Sequence, residues 1–438
     1  MMRRKCVIIG GGLAGLSAGV CLAKAGVEVE VFESSPKPGG RAYSFREPSM
    51  DDVIDNGQHI MMGCYTETLR FLQTIGATNK LLFQESLQVD FVDKKLGMTP
   101  LKTGKSFYPF NLLKGLLSYK ALKFSERLEI IGLFSKLPFL RDYSLAGMTI
   151  LEWLRKEGQS TATIKAFWEI LSVGALNTDP ARASASLFAS ILKKMFLHGN
   201  SASTIILPKV GLSELFCESA IKFISSNGGS IRLSEPVKEV EIIDGAAKKI
   251  LLGKRQLSDF DFVISAVPYY SFTRIFPDAF VKSLELENMP YSSIISLNIW
   301  LKENPFKGRF YGLVDSPVHW VFNHGKFITT VISNADEISG RSKDDLQELI
   351  IGELEEYFPQ FQRGFICGVK LIKEKRATFV PLPHVLSRRP DTVSKVKNLF
   401  LAGDWTQTGL PATIEGAVQS GHNAARAGIN YLKNTPGI

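Results

Sequence analysis

The alternation of apolar and polar positions changes period several times along the chain. Cys6-Val7-Ile8-Ile9 is an unbroken apolar run, the pattern of a strand buried on both faces. A helical pattern over 13–25 follows and stops at Gly26, and 27–32 reads as a second strand ending on Glu33. From Leu69 to about Asn200 the texture turns to long helical patterns. Leu187, Phe188, Ile191, Leu192, Met195 and Phe196 fall at helical spacing with Lys193 and Lys194 opposite, and 151–156 and 163–173 read alike. Strand patterns return at 230–233, 237–243 and 262–266, around a helix near 213–225. Beyond Tyr269 the pattern is mixed, with strands at 293–301 and 326–333 and a helix over 343–358. A last buried strand near Asn398 delivers Asp404, and a helix begins near Ala412 or Thr413.

The first strand, helix and strand enclose Gly10, Gly12 and Gly15 in G-x-G-x-x-G spacing. Gly10 permits the tight turn, Gly12 lets backbone approach a pyrophosphate, and Gly15 lets the helix pack closely on the strand. A diphosphate then rests on unpaired N–H groups at the helix N-terminus, where the dipole also favours negative charge. Glu33 is placed to accept hydrogen bonds from ribose hydroxyls, which disfavours a 2′-phosphate and so argues against NADP. This pattern leaves NAD and FAD both open.

Two further stretches narrow the choice: Pro38-Gly39-Gly40-Arg41, and Leu401-Ala-Gly403-Asp404-Trp405 with Thr413-Ile414-Glu-Gly-Ala417. With the glycine motif, they resemble the flavin-dependent amine oxidase and phytoene desaturase superfamily. The resemblance implies an α/β fold, a Rossmann-type FAD-binding domain with an inserted mixed α+β substrate-binding domain. The expected FAD domain is discontinuous (1–68, 205–268 and 371–438), and the substrate domain takes 69–204 and 269–370. The resemblance also implies cofactor contacts from Gly10, Gly12, Leu13, Ala14 and Gly15, from Glu33, and from Gly40 and Arg41. Arg41 is placed to counter the diphosphate charge. Gly57, Gln58 and His59 are expected near the flavin, and Val237 near the adenine. Gly403 and Asp404 are expected on the ribityl or phosphate part. The helix starting near Thr413, Ile414 and Ala417 is expected to face the pyrimidine side of the ring, where its dipole stabilises the negative charge of reduced flavin. Gly63-Cys64-Tyr65 resembles a cysteine-linked flavin site, but that attachment belongs to the C-terminal region, where 398–438 has no cysteine. Non-covalent FAD is predicted.

Asp55-Asn-Gly-Gln-His59 and Ala175-Leu-Asn177-Thr are more particular, and with the Asp404 segment they look like the squalene-associated desaturase-like branch, the hydroxysqualene dehydroxylases. That likeness implies a polyisoprenoid alcohol substrate, reductive loss of its hydroxyl as water, and an external reductant that the sequence does not identify. Loss of an allylic hydroxyl needs an acid, for which His59 and Tyr65 are the candidates. Trp405, Tyr65 or Phe45 is expected to face developing positive charge. A carotenoid-type desaturase has the same cofactor and stands as the alternative, followed by an amine oxidase and by a non-catalytic lipid-binding flavoprotein.

Composition alters this picture in one region. Residues 102–141 carry six lysines, two arginines and only Glu126 and Glu129 as acids, a local net charge of +6, among many large apolar side chains. Basic residues interleaved with an apolar face predict peripheral contact with an anionic membrane, though a core helix with a solvated lysine face has the same pattern. No nucleic-acid motif accompanies the charge, so no nucleic-acid partner is expected. No apolar run reaches a membrane span. The first motif starts within ten residues of Met1, leaving no room for a cleaved leader. Five scattered cysteines without C-x-x-C spacing predict neither disulfides nor a metal site. The expected location is cytoplasmic, at the inner face of the membrane if 102–141 docks there.

Overall fold

The computed structural model describes residues 4–104, 106–253, 255–286 and 289–435; Lys105 of the basic stretch lies outside them. Five parallel strands form the nucleotide-binding sheet, in the order Ser230–Arg232, Glu28–Phe32, Lys5–Ile9, Phe262–Ser265 and Leu399–Leu401. Parallel strands covered on both faces need apolar side chains throughout. Val7, Ile8, Val263, Ile264, Leu399 and Leu401 accordingly have no exposed surface. Chain segments some 400 residues apart thus share one sheet, and the cofactor loops all leave its carboxyl edge.

Helix Leu13–Lys24 packs on this sheet and against the last helix, Ile414–Asn434. Ten of its twelve residues are buried, which is why it carries alanine, glycine and serine where a surface helix carries charge. Gly10 has φ +107°, and a Cβ on Gly15 would lie 1.9 Å from the Gly10 carbonyl oxygen. Any larger residue at 15 therefore pushes the helix off the first strand.

The second half is built on a mixed sheet. Ile366–Phe379 forms its edge, followed by Tyr291–Leu301, Phe327–Ile332, Trp320–Asn323, Phe310–Leu313, Gln88–Asp93 and Gly97–Met98, with Leu101–Lys102 paired to Gln88–Asp93. Helix Lys343–Tyr357 covers one face, and helices from residues 110–203 cover the other. Two features depart from expectation. Gln88–Asp93 lies in the stretch read as helical, yet pairs in parallel with Phe310–Leu313, where the Phe91 ring packs over Gly312. Ile366–Phe379 runs straight through residue 371, where the chain was expected to re-enter the nucleotide domain. Its partner Tyr291–Leu301 holds it in the substrate-side sheet. Among the described residues no helix is long and apolar enough to cross a membrane.

Candidate cofactor and substrate cavity

A cavity of about 1640 Å³ runs from the N-terminus of helix Leu13–Lys24 into the helical block. Gly10, Gly12, Leu13, Ala14, Glu33, Gly40, Arg41, Val237, Gly403, Asp404, Thr413, Ile414 and Ala417 all line it, as do Gly57, Gln58, His59 and Tyr65. Gly15 does not; its work is the helix–strand contact beneath. The first helix has Gly12 as its N-cap, with no side-chain cap and no acid in its first turn. Its N-terminal N–H groups face the cavity without competition, which suits a diphosphate. Glu33 sits at the end of the second strand, its carboxylate accepting from the Gly11 and Ser35 N–H groups at 2.7 and 2.8 Å. That fixes an acceptor where ribose hydroxyls are expected.

Asp404, 6% exposed, is paired with Arg41 at 2.7 Å, and Arg41 also donates to the Ala377 carbonyl at 2.7 Å. The Arg41 charge is thus engaged by Asp404 and by the substrate-side sheet rather than standing free for a diphosphate. Sequence reasoning missed Arg389. Its buried guanidinium donates to the carbonyls of Asp404, Trp405, Thr406 and Leu410 and to the Thr408 hydroxyl. This one cation shapes the whole loop between the last sheet strand and the last helix. No spacing rule marks such a residue; a lone arginine in a polar stretch reads as surface.

The Asp55–His59 stretch is a set of backbone fixings. Asp55 accepts from the Ser44 hydroxyl at 2.6 Å and the Leu212 N–H at 3.0 Å; burial pushes its pKa up while those bonds pull it down. Asn56 donates to the Arg41 carbonyl and to Glu374. His59 Nδ1 lies 2.7 Å from the Gly57 carbonyl, and burial pushes its pKa below the usual range. A carbonyl cannot donate, so Nδ1 carries the proton and Nε2 of the neutral ring is an acceptor.

Tyr65 keeps its proton, because burial raises its pKa well above 10; a hydrogen bond with Thr413 pulls the other way. Thr413 is the N-cap of Ile414–Asn434, accepting from the Gly416 N–H at 3.2 Å. Glu415, in the same first turn, caps a second helix, Thr66–Thr74, by accepting the N–H groups of Glu67 and Thr68 and the Thr68 hydroxyl. Tyr65 is therefore held between two helix N-termini.

Of the three aromatics expected to face positive charge, Tyr65 alone lines the cavity. Trp405 is buried against Tyr269 and Phe272 and donates its indole N–H to the Val267 carbonyl. Phe45 packs with Ile54, Trp300 and Phe327. Rings from the helical block and mixed sheet, Phe91, Phe134, Phe167, Trp320 and Phe322, line the cavity instead. Their placement depends on tertiary packing between segments far apart in the chain.

The sequence profile of flavin containing amine oxidoreductases matches residues 13–428. A hydroxysqualene dehydroxylase of Sinorhizobium fredii is 30% identical, with 97% of this chain and 98% of that protein aligned. A 15-cis-phytoene desaturase of Synechococcus elongatus is 24% identical over 97% of this chain and 95% of its own. Among solved structures, cyclohexylamine oxidase from Brevibacterium oxydans has a TM-score of 0.72 at 16% identity, covering 99% of this chain and 100% of its own, and so shares the fold.

Proposed function

The chain belongs to the flavin containing amine oxidoreductase family and its cofactor is FAD, and on that premise we propose that it reduces hydroxysqualene to squalene, releasing the hydroxyl as water. The observation that carries this reading is the continuity of the dinucleotide cradle with a long apolar tunnel in one cavity. Reduced FAD, when bound, supplies the hydride. The protein supplies the rest. Phe91, Leu116, Ile131, Phe134 and Phe167 exclude water around an isoprenoid chain. Tyr65, which keeps its proton in this buried setting, presents a phenolic O–H to the departing hydroxyl. His59 in its neutral form offers an acceptor, which suits orientation of a hydroxyl better than protonation of it. Purified protein, hydroxysqualene and a chemical flavin reductant, followed by mass spectrometry, test the reaction. Squalene is the expected product; new conjugated double bonds formed from phytoene, with no squalene, would assign the chain to desaturation.

The same cavity favours a peripheral position on a membrane. Phe139 is 84% exposed, Phe107 73%, Phe124 64% and Phe110 56%, and Leu113 and Leu128 are exposed too. Phe110 and Leu113 also line the cavity, so exposed apolar side chains of this segment border its apolar end. Lys114, Lys120 and Lys123 are exposed and carry no ion pair among the described residues. Exposed apolar side chains and unpaired lysines in one segment bordering the tunnel suit an anionic bilayer from which an isoprenoid passes sideways into it. Replacing the three lysines with glutamate is expected to abolish co-sedimentation with phosphatidylserine-containing liposomes; unchanged co-sedimentation would remove the membrane contact.

A further inference from the structure

The Ala175-Leu-Asn-Thr stretch has no part in the cofactor cradle, yet Asn177 lines the cavity. Asn177 ends helix Ile170–Leu176 in the left-handed region, at φ 49°, which asparagine tolerates better than most residues. Its Oδ1 accepts the Asn334 N–H at 2.6 Å, and its Nδ2 donates to Thr378 Oγ1 at 3.0 Å. Thr378 lies near the end of edge strand Ile366–Phe379 and also lines the cavity. One residue before it, the Ala377 carbonyl receives Arg41, the partner of Asp404. Consecutive residues of one strand therefore meet the cofactor cradle and the helical block. Leu171, Gly174, Ile294, Trp320 and Val331 from the same helix and mixed sheet also line the cavity and offer an alcohol only the Trp320 indole N–H; Ser333 and Glu374 line it as well.

A hydroxyl has one proton and two lone pairs. Asn177 takes one lone pair of Thr378, and no acceptor for the Thr378 proton is found among the described residues. We infer that the Thr378 hydroxyl, oriented by Asn177, donates to the hydroxyl of the isoprenoid alcohol and selects alcohol over hydrocarbon where tunnel and cradle meet. This rests on the dehydroxylation reading above. It has a kinetic corollary: the hydrocarbon product lacks the group that Thr378 holds, so the substrate outcompetes the product at this point.

Oxidised, FAD-loaded enzyme binds without turnover, so affinity is measured separately from reaction, by the change in flavin absorbance on adding hydroxysqualene or squalene. Thr378→Val keeps the shape and the β-branching of the strand residue while removing the hydroxyl. It is expected to weaken hydroxysqualene binding about threefold to tenfold, the effect of one hydrogen bond, and to leave squalene binding unchanged; Thr378→Ser retains the preference. Asn177→Asp is the second variant: a carboxylate draws the Thr378 proton toward itself, and the preference is expected to fall here too. Equal weakening of both ligands, or wild-type affinity for the alcohol in Thr378→Val, would overturn the inference. Wild-type turnover to squalene alongside either result leaves the proposed reaction standing, whereas absence of that turnover refutes the reaction itself.

Discussion

Replacing Arg389 with methionine tests how the cofactor loop is held. Arg389 is 5% exposed, and burial pushes its pKa down to about 10 against the pull of Asp404. Relative to an ordinary guanidinium that fall corresponds to roughly 3 kcal/mol of unfavourable charge burial. On the favourable side stand bonds to Leu410 O (2.7 Å), Asp404 O (2.7 Å), Thr408 Oγ1 (2.9 Å) and Thr406 O, plus a long one to Trp405 O (3.4 Å). Four good bonds from a charged donor contribute about 1.5 kcal/mol each, roughly 6 kcal/mol together. The net worth of the residue is then about 3 kcal/mol, lodged in the loop that positions Asp404 and the start of the last helix. If that loss appears in cofactor affinity, Arg389→Met binds FAD about 150-fold more weakly. Arg389→Lys keeps the charge-burial cost but brings three donors from a single point, so it is expected to be no better than methionine. Titration of apoprotein with FAD, followed by flavin fluorescence quenching, reads both variants. A Kd within threefold of wild type for methionine, or a lysine variant equal to wild type, would refute the reasoning.

Two further outcomes follow from named contacts. Gly15→Ala places a Cβ 1.9 Å from the Gly10 carbonyl oxygen, so the variant is expected to purify without yellow colour, checked by its flavin-to-protein absorbance ratio; a wild-type ratio would contradict the contact. His319 stands half-buried beside the mixed sheet, its Nδ1 accepting the Ser333 N–H at 3.2 Å, and burial pushes its pKa down to about 4, against 6.5 for the unfolded chain. The neutral form is the one the fold accepts, so its stability contribution is complete above pH 6.5 and is lost as pH falls from 6.5 towards 4. It should cost about 2 kcal/mol between pH 7 and pH 5. Urea midpoints at the two pH values measure the loss, and His319→Gln should reduce it by about that amount; an unchanged acid sensitivity in that variant would count against the assignment.

What could be read from the sequence is what local rules govern. The G-x-G-x-x-G turn, the acid at the end of the second strand and the strand before Asp404 depend on residues close together in the chain, and each cofactor residue named there lines the cavity except Gly15, which packs beneath it. What escaped depends on distant partners. Gln88–Asp93 becomes a strand because Phe310–Leu313 pairs with it, and six residues carry too little pattern to announce that. Trp405 looked like a cavity aromatic because it follows Asp404, but its N–H finds Val267 and its ring turns inward. Asn177 and Thr378 are 201 residues apart, and their meeting cannot be inferred from either stretch alone.

The division of labour in the cavity bears on how one cradle serves opposite reactions. A 15-cis-phytoene desaturase and a hydroxysqualene dehydroxylase both align with 97% of the chain. Whatever separates dehydroxylation from desaturation must then lie outside the phosphate and ribose contacts, because those contacts bind the same cofactor in either direction. Direction requires two things of the remaining wall: a grip on oxygen and a proton for it when it leaves. Three polar groups on that wall lie where the two halves meet: Tyr65 between two helix N-termini, His59 with its Nδ1 held by the Gly57 carbonyl, and Thr378, held by Asn177 and next to the Ala377 carbonyl that Arg41 reaches. Each is fixed by a contact reaching from the nucleotide-binding half or the helical block. Binding energy along the apolar tunnel, which a hydrocarbon and an alcohol share almost equally, sets how tightly an isoprenoid is held; in the reaction proposed above, these three groups are the ones assigned to its oxygen.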